Sequence, residues 1–120
     1  MICFYSNQRK VNVIYELRIY ECFAGKLSNL HDRFANHTMK LFEKQGITNI
    51  GYWVTDVGPN SNELTYILGF KDAAHRTKAW ENFRNDPEWQ KVFEESHADG
   101  IIVKNVRNQI LIPTPYSPVK

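Results

Sequence analysis

The chain has 120 residues, of which 42% are hydrophobic, 13% aromatic and 23% charged. That composition excludes a disordered chain and bounds the answer to one soluble domain burying roughly two thirds of its unfolded surface. Fifteen basic residues against 13 acidic leave a formal charge of +2, which removes the electrostatic argument for nucleic acid or an anionic membrane. No uncharged apolar run approaches the ~20 residues that cross a bilayer, so membrane insertion is not expected.

The first ten residues, MICFYSNQRK, place a short apolar patch before the charges, the reverse of a signal peptide, and lack the Arg-rich character of a transit segment. The expected location is the cytoplasm, and residues 1–13 read as an N-terminal extension. Cys3 and Cys22 form no CxxC pair and read as unpaired thiols in a reducing compartment. Val13 to Tyr20 is β-branched and aromatic, hence a strand, with Tyr15, Leu17 and Ile19 on one face and Glu16, Arg18 and Tyr20 on the other. Gly25 breaks the chain. Lys26 to Gln45 then reads as a helix about 30 Å long, with Leu27, Leu30, Phe34 and Leu41 as its apolar stripe and Gly46 as its C-cap.

Ile47 to Val57 and Leu64 to Lys71 read as a hairpin around the turn cluster 58–62, Gly-Pro-Asn-Ser-Asn. Asp72 can cap a second helix whose stripe would be Ala73, Thr77, Trp80 and Arg84, with Phe83 beside it. Asp86-Pro87 restarts a helix, Asp as N-cap and Pro at the first position, with Trp89, Val92 and Phe93 as the buried face. Gly100 stops it. Ile101 to Ile112 is the last strand, and the prolines at 113, 115 and 118 leave 114–120 as an irregular tail.

The order β-α-β-β-α-β predicts an α+β, ferredoxin-like sandwich: a four-stranded antiparallel sheet with its helices on one face. Yet both strand faces carry large apolar groups. The last strand offers Ile102, Val106, Ile110 and Ile112 against Ile101, Val103 and Leu111; the second offers Trp53 and Val57 against Ile50, Tyr52 and Val54. Helices cover one face only, so the other needs a cover, and the nearest candidate is a second copy.

Chemistry-bearing motifs are sparse. His31, His37, His75 and His97 fall in no metal-ligating spacing, so no metal is expected. Glycine-rich phosphate loops, GxSxG elbows and paired acids are likewise absent. His37 lies beside Leu30, Phe34 and Leu41: either a core-edge histidine, or a neutral imidazole facing a pocket where it could move a proton. A haem ligand is the weakest of its readings, and no cofactor is expected. Glu16 and Arg18 form an ion pair at a dimer interface, or Arg18 forks a carboxylate-bearing ligand. Trp53, Trp80 and Trp89 are packing residues or the walls of an aromatic pocket. The candidate ligand-binding set is therefore His37, Arg18, Trp53, Tyr66, Trp80 and Trp89, with His37 as the candidate catalytic group.

Tyr15-Glu16-Leu17-Arg18-Ile19-Tyr20 with Gly25, Gly51-Tyr52-Trp53, Asn62-Glu63-Leu64-Thr65-Tyr66, Ala79-Trp80 and Asp86-Pro87-Glu88-Trp89 together resemble the NIPSNAP family, from about Ile14 to Pro113. The resemblance implies a dimeric α/β barrel domain over 14–113, two ferredoxin-like sheets packed face to face, and no settled reaction. Two functions follow as expectations. One is a homodimer binding a small apolar or aromatic ligand between sheet and helices; the other is a cofactor-independent monooxygenase or isomerase using the same pocket. A protein acting through its surface is the third.

Overall fold

The computed structural model describes residues 13–120; Cys3 and all but the last residue of the expected extension lie outside the described residues. Four strands, β1 (Ile14–Cys22), β2 (Thr48–Val54), β3 (Glu63–Phe70) and β4 (Val103–Leu111), form one sheet in the order β2-β3-β1-β4. Every pairing is antiparallel. Helix α1 spans residues 27–44, and α2 (Ala73–Arg84) and α3 (Pro87–Ser96) follow β3. This is the α+β arrangement that the element order requires. Residues beyond β4 carry no regular structure, because their prolines cannot donate to a ladder.

The helix boundaries are chemically explicit. At α2 the Asp72 side chain accepts the His75 N–H at 2.7 Å, and at α3 Asp86 accepts the Glu88 N–H at 3.0 Å with Pro87 in the first turn. Both satisfy amides that have no partner inside the helix. Lys44 Nζ donates to the second Asp86 oxygen at 2.9 Å, joining the end of α1 to the start of α3. Gly46, at φ +78°, ends α1 in the left-handed conformation that favours glycine.

Within α1, Phe34–Thr38 is a π-helical turn in which the Met39 N–H reaches back to the Phe34 carbonyl. The extra residue in that turn under-winds the helix. Arg33 and Phe34 both end up buried, Thr38 turns inward, and His37 turns out to solvent. The expected position of His37 at the edge of the buried stripe is thus overturned.

The helices and the even-numbered residues of β1 and β3 enclose the core. Tyr66 is its centre, fully buried, with ring centres 5.1 Å from Phe34, 5.3 Å from Tyr20 and 5.1 Å from a stacked Tyr52. Phe42 connects this cluster to Trp80 at 5.5 Å and Phe83 at 4.8 Å. On α2 the buried residues are Ala79, Trp80 and Phe83, and of the expected stripe only Trp80 is among them. On α3, Val92 is buried and Trp89 partly so, but Phe93 is half exposed.

Two bulges rearrange the strand faces that alternation predicts. One, at Ile50 in β2, puts Ile50 on the helix-free side near Gly69, together with Trp53, instead of opposite it. The other, between Glu21 and Cys22, pairs Val103 with buried Cys22 on the helix side while Leu111 faces away. Val57 lies in the loop after β2, and Ile102 is buried just before β4.

Candidate functional site

Strand β1 places Glu16, Arg18 and Tyr20 on the side of the sheet that the helices cover. Glu16 is wholly buried, where a carboxylate survives only if its oxygens are satisfied. They are. Arg76 donates Nε to Oε1 at 2.9 Å and Nη2 to Oε2 at 3.1 Å, a two-pronged grip. Arg18 Nη1 and Asn108 Nδ2 each donate to Oε2 at 2.9 Å, and the Trp80 indole N–H donates to Oε1 at 2.9 Å. β1, α2 and β4 therefore meet on one carboxylate. Burial alone would push its carboxyl up, but the Arg76, Asn108 and Trp80 bonds and the Arg18 charge outweigh it and hold the group at about 2.

The partners of Arg18 continue the network. Its Nε donates to the Tyr66 hydroxyl at 2.8 Å and its Nη2 to the Tyr20 hydroxyl at 3.2 Å. The guanidinium lies 4.6 Å from the Trp80 ring centre, within cation–π range. Burial works against the charged form, yet the tyrosine hydroxyls and Glu16 hold Arg18 firmly protonated. Burial likewise pushes the Tyr66 hydroxyl well above the ordinary tyrosine range.

A cavity of about 330 Å³ opens above this network, within the range of small-ligand sites. Its cations are Arg18, Arg76 and Arg84. Its walls are Tyr20, Trp80, Phe83 and Trp89, and Thr77 stands at its rim. Of the residues proposed from sequence, Arg18, Trp80 and Trp89 line the cavity, and Tyr66 braces Arg18 from below. Trp53 does not take part: it is 51% exposed on the helix-free side of the sheet. His37 is exposed on α1 and is not among the lining residues. The expected Glu16–Arg18 ion pair is present at 2.9 Å, and it lies beneath the helices and not on the helix-free sheet face.

Sequence reasoning missed Arg76, Arg84 and Asn108. A signal for the first two existed: Arg76, Trp80 and Arg84 recur every four residues along α2, and such a stripe can face a buried acid on a strand. Among the described residues, no three His, Cys, Asp or Glu side chains gather as metal ligands, and no helix is long and apolar enough to cross a membrane.

Residues 15–118 match the NIPSNAP family model. The mouse protein NipSnap homolog 3B is 27% identical over 113 residues, 92% of this chain but 44% of its own length; the chain thus spans less than half of that relative. A NIPSNAP-like domain protein from Burkholderia xenovorans, 25% identical, superimposes with a TM-score of 0.79 over 90% of each chain. A NIPSNAP family protein from Agrobacterium tumefaciens, 26% identical, reaches 0.80 over 90% of this chain and 99% of that one. Sequence and fold agree over nearly the same span as the motifs of β1, the hairpin and the α2–α3 break, and the chain belongs to the NIPSNAP family.

Proposed function

We propose that the protein is a homodimeric binding protein that holds a small aromatic or apolar molecule in the cavity between β1 and the α2–α3 pair. The observation that carries this reading is the cavity itself: aromatic walls, a polar floor tied to Glu16, and an open mouth. Trp80, Phe83 and Trp89 pack in a row, with 5.6 and 4.6 Å between successive ring centres, and together present a continuous aromatic wall to that space.

Catalysis of the monooxygenase or isomerase kind needs an acid or base at the cavity. His37 faces outward. Glu16, depressed to about 2 and accepting five hydrogen bonds, has no basicity or free lone pair to offer. Binding is the reading with support.

The dimer rests on the helix-free sheet face. Ile50 is 40% exposed, Trp53 51% and Leu111 38%, and Leu17, Ile19 and Ile67 lie between them on the same side. The Trp53 ring folds back over Gly51, where a methyl group would come within 2.5 Å of it, and keeps that face low. A low apolar face left bare by the helices suits an isologous partner. Light scattering should return twice the 14.1 kDa chain mass; a monomer at micromolar concentration overturns the dimer.

For the binding reading, tryptophan fluorescence is followed while an aromatic ligand panel is added to the wild-type chain and to Thr77→Trp. The bulky indole at the rim should fill the mouth and remove binding without changing the melting temperature. Binding unaffected by that substitution would place the ligand elsewhere.

A further inference from the structure

The guanidinium groups around the cavity are unequally committed. Arg18 spends three of its five N–H groups on Glu16, Tyr66 and Tyr20. Arg76 spends its Nε and one Nη2 hydrogen on Glu16. Arg84 has no hydrogen bond or ion pair from its guanidinium to any described residue, although it lines the same cavity. One carboxylate offsets three cations, and among the described residues no Asp or Glu lines the cavity to offset the others.

A fourth guanidinium stands behind the wall. Arg33 is 5% exposed and has no carboxylate partner among the described residues; its Nη1 donates to Ser96 Oγ at 3.2 Å. Its Nε has no partner among them. The group stacks 5.3 Å from the ring centre of Trp89, which is itself a cavity wall. Burial pulls Arg33 down from the ordinary arginine range. A fold that needed only packing here could place a carboxylate beside it or replace it with an apolar residue. Arg33 is buried and Arg18 and Arg76 partly so, while Arg84 is exposed, and cations kept together where solvent is partly excluded are unfavourable until an anion joins them.

Resting on the binding reading above, we propose that the cavity takes an aromatic anion. The ring lies against Trp80, Phe83 and Trp89, and an anionic oxygen head, a carboxylate or a phosphate monoester, is held by Arg84 with the uncommitted N–H groups of Arg76 and Arg18. Arg33 raises the positive potential of that wall without touching the ligand. The cavity has room for one ring and a short substituent, which keeps the charged head close to the arginines.

The test uses pairs that keep the ring and lose the anionic head: benzoate against benzamide, 4-hydroxyphenylacetate against its amide, and phenyl phosphate against phenol. Binding is read from the fluorescence of Trp80 and Trp89 and from ligand-observed NMR. Each anion should bind about tenfold or more tightly than its neutral partner, and the preference should shrink as salt rises. The tighter of benzoate and phenyl phosphate identifies the head group. Arg84→Gln should reduce the preference about tenfold at an unchanged melting temperature, because its guanidinium holds nothing in the empty protein. Equal binding of charged and neutral partners overturns the anion inference and leaves the pocket reading standing. Binding of neither partner in any pair overturns both. A preference that survives Arg84→Gln intact overturns the assignment to this cluster.

Discussion

The two faces of β1 invert the usual rule for a half-buried strand. The side beneath the helices carries Glu16 and Arg18, while the helix-free side carries Leu17 and Ile19. An alternating strand normally turns its apolar residues to the core. Here the polar set is inside because both Glu16 oxygens and the Arg18 Nε have partners drawn from other elements: Arg76 and Trp80 from α2, Asn108 from β4, Tyr66 from β3. The apolar set is outside because no helix among the described residues crosses that face. The covered face offers directed polar contacts, which suit the proposed binding; the other offers apolar area, which suits the proposed self-pairing.

Breaking the covered face should have the largest effect. Glu16→Ala leaves Arg18 and Arg76 buried without their carboxylate and orphans the Trp80 indole N–H. Loss of one partner from such a cluster costs about 3–5 kcal/mol, read as a drop in the urea midpoint. An apolar Glu16 variant of equal stability would mean that the cluster merely fills space.

Acid titration separates the faces without mutation. The Glu16 carboxyl titrates at about 2 in the fold and near its ordinary 4.5 in the unfolded chain. Below pH 4.5 the unfolded state therefore takes up the proton first. Stability fully present above that value is lost as pH falls towards 2, by about 3 kcal/mol in all. Glu16→Ala should lack this component of the acid slope, whereas substitutions on the helix-free face should retain it.

Trp53→Asp addresses the other face. Half-exposed already, Trp53 should cost little to the fold of one chain, within about 1 kcal/mol, but a carboxylate in an apolar pairing surface should halve the mass seen by light scattering. Unchanged mass would show that the bare face is not where copies meet. Gly51→Ala is the finest probe. A methyl group there collides with the Trp53 ring, which must swing off the sheet. The single chain should change in stability by less than about 1 kcal/mol, with self-association weakened but not abolished.

Much of the fold was legible in the sequence because its cues are local. The Val-Ile-Tyr run of β1, the turn residues at 58–62, Asp72 and Asp86 as caps and Gly46 as a stop each act within a few residues. Arg18, Trp80 and Trp89 were legible as candidate pocket residues because Arg and Trp carry recognisable chemistry. The fate of His37 was not, since helical spacing assumes a regular helix and the π turn at Phe34–Thr38 breaks that assumption. The side on which Ile50 and Val103 emerge was hidden for the same reason, since one bulge reverses a strand's alternation.

The sequence by itself thus determined the element order, the helix ends and the presence of apolar groups on both strand faces. Only the tertiary structure decided which face of β1 is inside, because that choice depends on partners more than forty residues away. Glu16 alone is an exposed strand acid by every local rule. With Arg18, Arg76, Trp80 and Asn108 around it, the desolvation of its charge is offset by five hydrogen bonds, and the group becomes the anchor of the side chains that line a cavity.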